Sequence, residues 1–222
     1  MRSCCFLLRE EDRMRGLLIK DGYLILKNLS MIYLAAFLMA ILPGFRNPSM
    51  LLPLLSMLVA VVLGSQVAVT LSWDEKAKWK TMLVSFPLSV FQEVAGKYVL
   101  SLILSIISFI AVCLLGGLAR RANIIMDQNI ILFAGLSFCV CLLYNMIMIP
   151  ATYLFGSGKS RMVLIIFVGV LPTVAALLLR TLRIDITRIS FDRRFLAVML
   201  FSGMIILLTI SFFISYMKQK VR

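Results

Sequence analysis

The sequence predicts an all-α, polytopic membrane protein. Its parts are six transmembrane helices, an amphipathic helix ahead of them, and a short cytoplasmic helix between spans two and three. Three observations predict this. The 222-residue chain is 62% hydrophobic, with a mean hydropathy of +1.02; soluble domains are about 45–50% apolar. Only 15% of its residues are charged. Those charges cluster and leave six runs without Asp, Glu, Lys or Arg, at 28–45, 47–73, 98–119, 128–158, 162–179 and 195–217. A helix needs about 20 apolar residues to cross a bilayer, so each run is read as one crossing, with the first and fifth, of 18 residues each, the marginal ones.

Residues 1–13 are polar and irregular and read as an extension ahead of a single membrane domain at 14–222. They are no signal peptide, because the apolar stretch at 4–8 is too short and Arg9 follows it. From Met14 the pattern turns amphipathic. Leu17, Leu18, Leu24 and Ile25 recur near helical spacing, with Lys20, Asp21 and Lys27 between them. That pattern suits a helix lying on the inner membrane surface.

The first span covers about 29–42 and ends at Pro43-Gly44, which break a helix. The second covers about 50–71. Pro53 sits near its start, where proline is tolerated, and Gln66 lies inside. An amide in hydrocarbon must face protein or a cavity. The third covers about 94–116 and closes with Gly116-Gly117 and Arg120-Arg121. The fourth covers about 130–153 and holds Asn145, suited to bonding across helices, and Pro150, suited to kinking the end. Packing is the plainer role for both, with substrate contact the alternative. Residues 156–160, Gly-Ser-Gly-Lys-Ser, read as a short flexible loop. The fifth span, about 162–179, is interrupted by Pro172, and the sixth covers about 195–217.

Six spans put both termini on one side. Fifteen of the 23 Lys and Arg then fall on that side and eight on the other, so the termini are expected in the cytoplasm of a cell-membrane protein. The outer loop at 180–194 goes against the rule with five arginines, so an ordered or interfacial element is expected there.

The net charge of +13 flanks spans and suits anionic headgroups. No basic groove with interleaved aromatics points to nucleic acid. Of five cysteines, Cys113, Cys139 and Cys141 lie in spans, where thiols pack as small apolar groups, and no disulfide framework or metal site is implied in a chain without histidine. Gly158-Lys159-Ser160 is no phosphate loop, because the position that needs the opening glycine is Tyr153. The spans carry no pair of carboxylates, as ion-coupled carriers usually do. Energy for any transport work therefore has to come from elsewhere, and no cofactor or enzymatic activity is expected of this chain.

The polar segment after span two carries the functional clue. Trp73, Asp74 and Glu75 lead to a stretch that places Trp79, Met82, Leu83 and Phe86 on one side of a short helix, which Pro87 stops. From spacing alone it is either a knob for a cytoplasmic partner or a connector anchored by tryptophan at the headgroups.

The segment resembles the corresponding stretch of ABC-type permeases of the type 2 export class, in the small six-span bacterial subgroup. The matching residues are Asp74-Glu75, then 84–87 Val-Ser-Phe-Pro, then 95–98 Ala-Gly-Lys-Tyr; the start at Met14 also looks like that subgroup's beginning. The resemblance implies a subunit of an ATP-driven exporter, pairing with a second permease, the same or homologous, above cytoplasmic ATPase subunits. Residues 73–87 would be the ATPase-coupling helix and Leu17, Leu18, Lys20 and Asp21 part of the connecting helix. Amphipathic peptides, drugs or lipid-like molecules are the implied substrates. The alternatives are a non-transporting immunity or sensor subunit, or a secondary carrier.

Overall fold

A computed structural model describes residues 16–27, 48–77, 90–121, 129–166 and 193–221. They form six helices: α1 over residues 16–27, α2 Pro48–Lys76, α3 Val90–Arg121, α4 Ile130–Phe155, α5 Ser157–Ile165 and α6 Arg193–Val221. Among the described residues, four stretches are long and apolar enough to span a membrane, in α2, α3, α4 and Ser202–Gln219 of α6. These are expected spans two, three, four and six. Expected span one, most of span five, residues 78–89 and the outer loop up to Asp192 lie outside the described residues.

α3 has 32 residues, about 48 Å at 1.5 Å each, against a hydrocarbon core of about 30 Å. Its ends therefore leave the hydrocarbon, and its charges sit there. Glu93 occupies the first turn and Arg120 and Arg121 the last, each favourable to the helix dipole.

The chain packs as two units, residues 1–145 and 146–222. In the first, α2 and α3 are antiparallel. Leu52 lies against Gly116, Leu55 and Val59 cluster with Val112, and Thr70 meets Lys97. α4 runs antiparallel to α3 and parallel to α2. Ala134 completes the Leu55–Val59–Val112 cluster, and Ile130 packs against Leu51 and Leu52. Small residues let the backbones approach, as membrane helices require. A Cβ on Gly116 would lie 2.9 Å from Ile130 Cγ2 and 3.1 Å from Leu52 Cδ1; one on Gly64 would lie 3.1 Å from the Tyr144 ring.

Hydroxyls on α2 fold back onto their own helix. Ser56 donates to Pro53 O, Ser65 to Val62 O, Thr70 to Val67 O and Ser72 to Val69 O, at 2.8–2.9 Å. This satisfies them without a neighbour and keeps a span with several polar residues compatible with lipid.

The second unit holds the end of α4 with α5 and α6. Ser211 Oγ of α6 donates to Met146 O at 2.8 Å, and Ser215 Oγ donates to Ser211 O. The flexible loop expected at 156–160 is corrected here. Only Gly156 leaves the helical path, at φ 82°, and helix resumes at Ser157, with Ser160 N–H donating to Gly156 O at 3.1 Å. One residue with positive φ suffices to break a helix, and glycine adopts it without steric cost. α4 continues through Pro150.

Gly116→Leu should destabilise the folded protein by about 1–3 kcal/mol through overpacking. Gly117→Leu, whose Cβ direction is open, should not. Thermal unfolding of both variants in the same detergent checks this; equal midpoints would contradict the α2–α3–α4 register.

Candidate functional site

Four charged side chains from three helices meet where the apolar parts of α2 and α3 end. Thr70 and Asp74 lie four residues apart on α2, hence on one face. Lys97 lies about two turns into α3, one turn past Glu93, and α1 brings Lys20 and Asp21.

Lys97 is at the centre and only 4% exposed. Its Nζ donates to Asp21 Oδ2 at 2.7 Å, to Asp74 Oδ2 at 2.7 Å and to Thr70 Oγ1 at 3.4 Å. An ammonium has three protons, and all three have acceptors from the protein. Lys20 Nζ donates to the other Asp74 oxygen at 2.7 Å and lies 3.6 Å from Asp21 Oδ1. The charges thus alternate around a ring. Asp21 is 3% exposed, whereas Lys20 keeps more than a quarter of its side chain in contact with solvent. A cavity of about 10 Å³ lies in the junction, lined by Leu17, Leu18, Glu93 and Gly96 as well as the ring.

Removing two charges from water costs several kcal/mol per ion and is offset only by good geometry and further hydrogen bonds. The Lys97 site meets both conditions, so it fixes α1 in position and register. α1 is consequently two-faced. Asp21 and Ile25 are buried, while Ile19, Tyr23 and Leu26, one helical stripe, are about 70% exposed.

Leu17, Leu18, Lys20, Asp21 and Asp74, all named from sequence, come together here. Trp73 and Glu75 are exposed at the rim, with Lys76 Nζ 5.5 Å above the Trp73 ring. Trp73, Asp74 and Glu75 do not belong to a separate helix. They form the last turn of α2, whose ladder continues to the Ala77 N–H bond with Trp73 O. Trp79, Met82, Leu83, Phe86 and Pro87 lie outside the described residues. Sequence reading missed Thr70 and the role of Lys97, quoted only within a motif. The available signal was a lysine at the start of one span facing an aspartate at the end of the span before it.

Gln66 and Asn145 are elsewhere in the first unit, and both are fully buried. Gln66 Nε2 donates to Val62 O at 3.3 Å and Asn145 Nδ2 reaches Cys141 Sγ at 4.0 Å. Asn145 therefore bonds along its own helix, where a bond across helices was expected. Among the described residues no group of His, Cys, Asp or Glu could hold a metal ion.

The model of the ABC-2 family transporter proteins matches residues 16–219. The chain belongs to the ABC-2 transporter family. The match runs from the first residue of α1 to near the end of α6, so the ionic junction and every span described above lie inside it. The chain is a multi-pass membrane permease of that family, a transport subunit that is not itself catalytic. No curated protein matches it.

Lys97→Met in the permease leaves Asp21 and Asp74 buried without their shared cation and should cost about 3–5 kcal/mol. Lys20→Met should cost on the order of 1 kcal/mol, because Lys20 is partly solvated. Adding Asp21→Asn and Asp74→Asn to Lys97→Met should recover much of the loss. Unfolding midpoints of the variants check this; equal effects of the two lysine changes would remove Lys97 from the centre of the junction.

Proposed function

We propose that this permease is the membrane subunit of an ATP-driven exporter and that the ionic junction passes motion from its ATPase partner to the spans. The junction itself carries this reading. Residues 78–89 connect α2 to α3, and Lys97 joins the ends of those two helices to α1. A partner pressing on the connection moves three elements together, because separating them exposes an unpaired buried charge. Residues 73–87 are then the coupling segment, with Trp79 and Phe86 as its apolar contacts, and α1 is the connecting helix at the inner membrane surface.

The working assembly in this reading has two permease subunits, identical or homologous, in the cell membrane, with cytoplasmic termini and two ABC ATPase subunits beneath. The spans have no pair of carboxylates for ion coupling, which supports an external energy source. Amphipathic peptides, drugs or lipid-like molecules are the proposed cargo. The exposed apolar faces of α3 and α6, including Ile103, Ile107, Ile110, Ile206, Ile210 and Phe213, suit contact with lipid and with molecules that partition into it.

Trp79→Ala with Phe86→Ala should abolish co-purification of the ATPase while leaving the permease folded. Unchanged recovery of the ATPase from the double variant would remove the coupling role from this segment. Purified permease free of ATPase subunits should hydrolyse no ATP, and hydrolysis persisting there would overturn the assignment. Proteoliposomes holding both components test export directly.

A further inference from the structure

Four antiparallel contacts set the register of α3 against α4. Gly116 meets Ile130, Val112 clusters with Ala134, the Ser108 and Ser137 hydroxyls share a hydrogen bond, and Ser105 lies beside Cys141. Steps of four, four and three residues down α3 match steps of four, three and four up α4. The next step sets Ser101 level with Asn145.

The parallel pair α2 and α4 gives the same level independently. Leu52 packs with Ile130, Val59 with Ala134 and Gly64 with Tyr144. Half a turn beyond Gly64, Gln66 enters the layer of Asn145. One cross-section of the first unit therefore holds two amides and a serine, between the Thr70–Lys97 end of the ionic junction and the level of Ser105 and Cys141.

Gln66 and Asn145 have no exposed surface, and Gln66 Oε1 and Asn145 Oδ1 have no hydrogen-bond donor from the protein. The amide nitrogens turn back to Val62 O and Cys141 Sγ on their own helices, so each oxygen is the end that needs a donor. A buried amide oxygen left without one is costly. Two of them in one layer point to a shared donor.

We propose that one water molecule is bound between Gln66 and Asn145, donating one hydrogen bond to Gln66 Oε1 and the other to Asn145 Oδ1. Water fits in number, because it has two protons for two acceptors. It also fits in kind. A metal cation would find neutral oxygens only, one turn from the Lys97 ammonium, and anything much larger than water cannot enter a layer whose side chains are fully enclosed. The Ser101 hydroxyl, at the same level, is placed to supply a third bond, the usual number for buried water. The water joins α2 to α4, the pair that Gly64 brings into close approach, and such a bridge tolerates small shifts between helices better than a direct bond does. The proposal does not depend on the transport reading.

Electron cryomicroscopy of the full chain in lipid nanodiscs, at a resolution that shows ordered water, is the decisive experiment. A single peak within hydrogen-bond distance of both oxygens is expected. Either no peak or a direct amide–amide pair would overturn the proposal. A thermal cycle with Gln66→Met, Asn145→Met and the double variant gives a second reading. Each single variant orphans one side of the shared site, so the double variant should lower the midpoint no further than the worse single one. Additive shifts would show two independent amides and sink the shared site. If the variants do not fold, the wild-type map decides alone.

Discussion

One buried ammonium holds together the end of this permease where α1, α2 and α3 meet. Lys97 contacts α1 through Asp21 and α2 through Asp74 and Thr70, while itself belonging to α3. An isolated helix of a dozen residues is marginal in water, and α1 spans residues 16–27. Its place is set by tertiary contacts, of which the ionic ones are the most directional. A buried pair of this kind is a poor source of net stability and a strong source of specificity here. Apolar side chains would let α1 slide or turn, whereas an ammonium with three fixed acceptors accepts one arrangement.

The rest of the first unit follows the logic of helices in lipid. With no hydrophobic force to press helices together within the bilayer, close backbones and shared polar groups have to do it. Gly64 and Gly116 provide the approach, and Ser108–Ser137 provides a cross-helix bond. Polar groups on α2 that face no partner bond their own carbonyls instead. The polar side chains between Lys97 and Ser137 thus form an internal seam with apolar surface around it. The same division leaves the seam to maintain helix order and the apolar surface to meet lipid.

Much of this was legible in the sequence, for identifiable reasons. Spans two, three, four and six were readable because hydrocarbon length and charge exclusion act on each helix separately. Gln66 was expected to face protein for the cost of a bare amide, and it does. Lys20, Asp21 and Asp74 were named, but not as partners of one another. They lie up to 54 residues apart, and no local rule pairs them. Trp73–Glu75 read as the start of a new helix because charges mark the end of a span; the backbone ladder is indifferent to that and carries α2 through them. The loop at 156–160 was misread because two glycines and a serine look like a turn, although Gly156 alone supplies the break.

The sequence by itself determined that the chain lives in a membrane, where several crossings run, and which residue types are too polar to face lipid. Those follow from transfer free energies, which each residue carries wherever it sits. Tertiary structure alone decided that Lys97 is shared by two aspartates, that α1 has a buried and an exposed face, and that Gln66 and Asn145 occupy one layer. Those depend on helix register, set by glycine contacts and cross-helix bonds between residues distant in the chain.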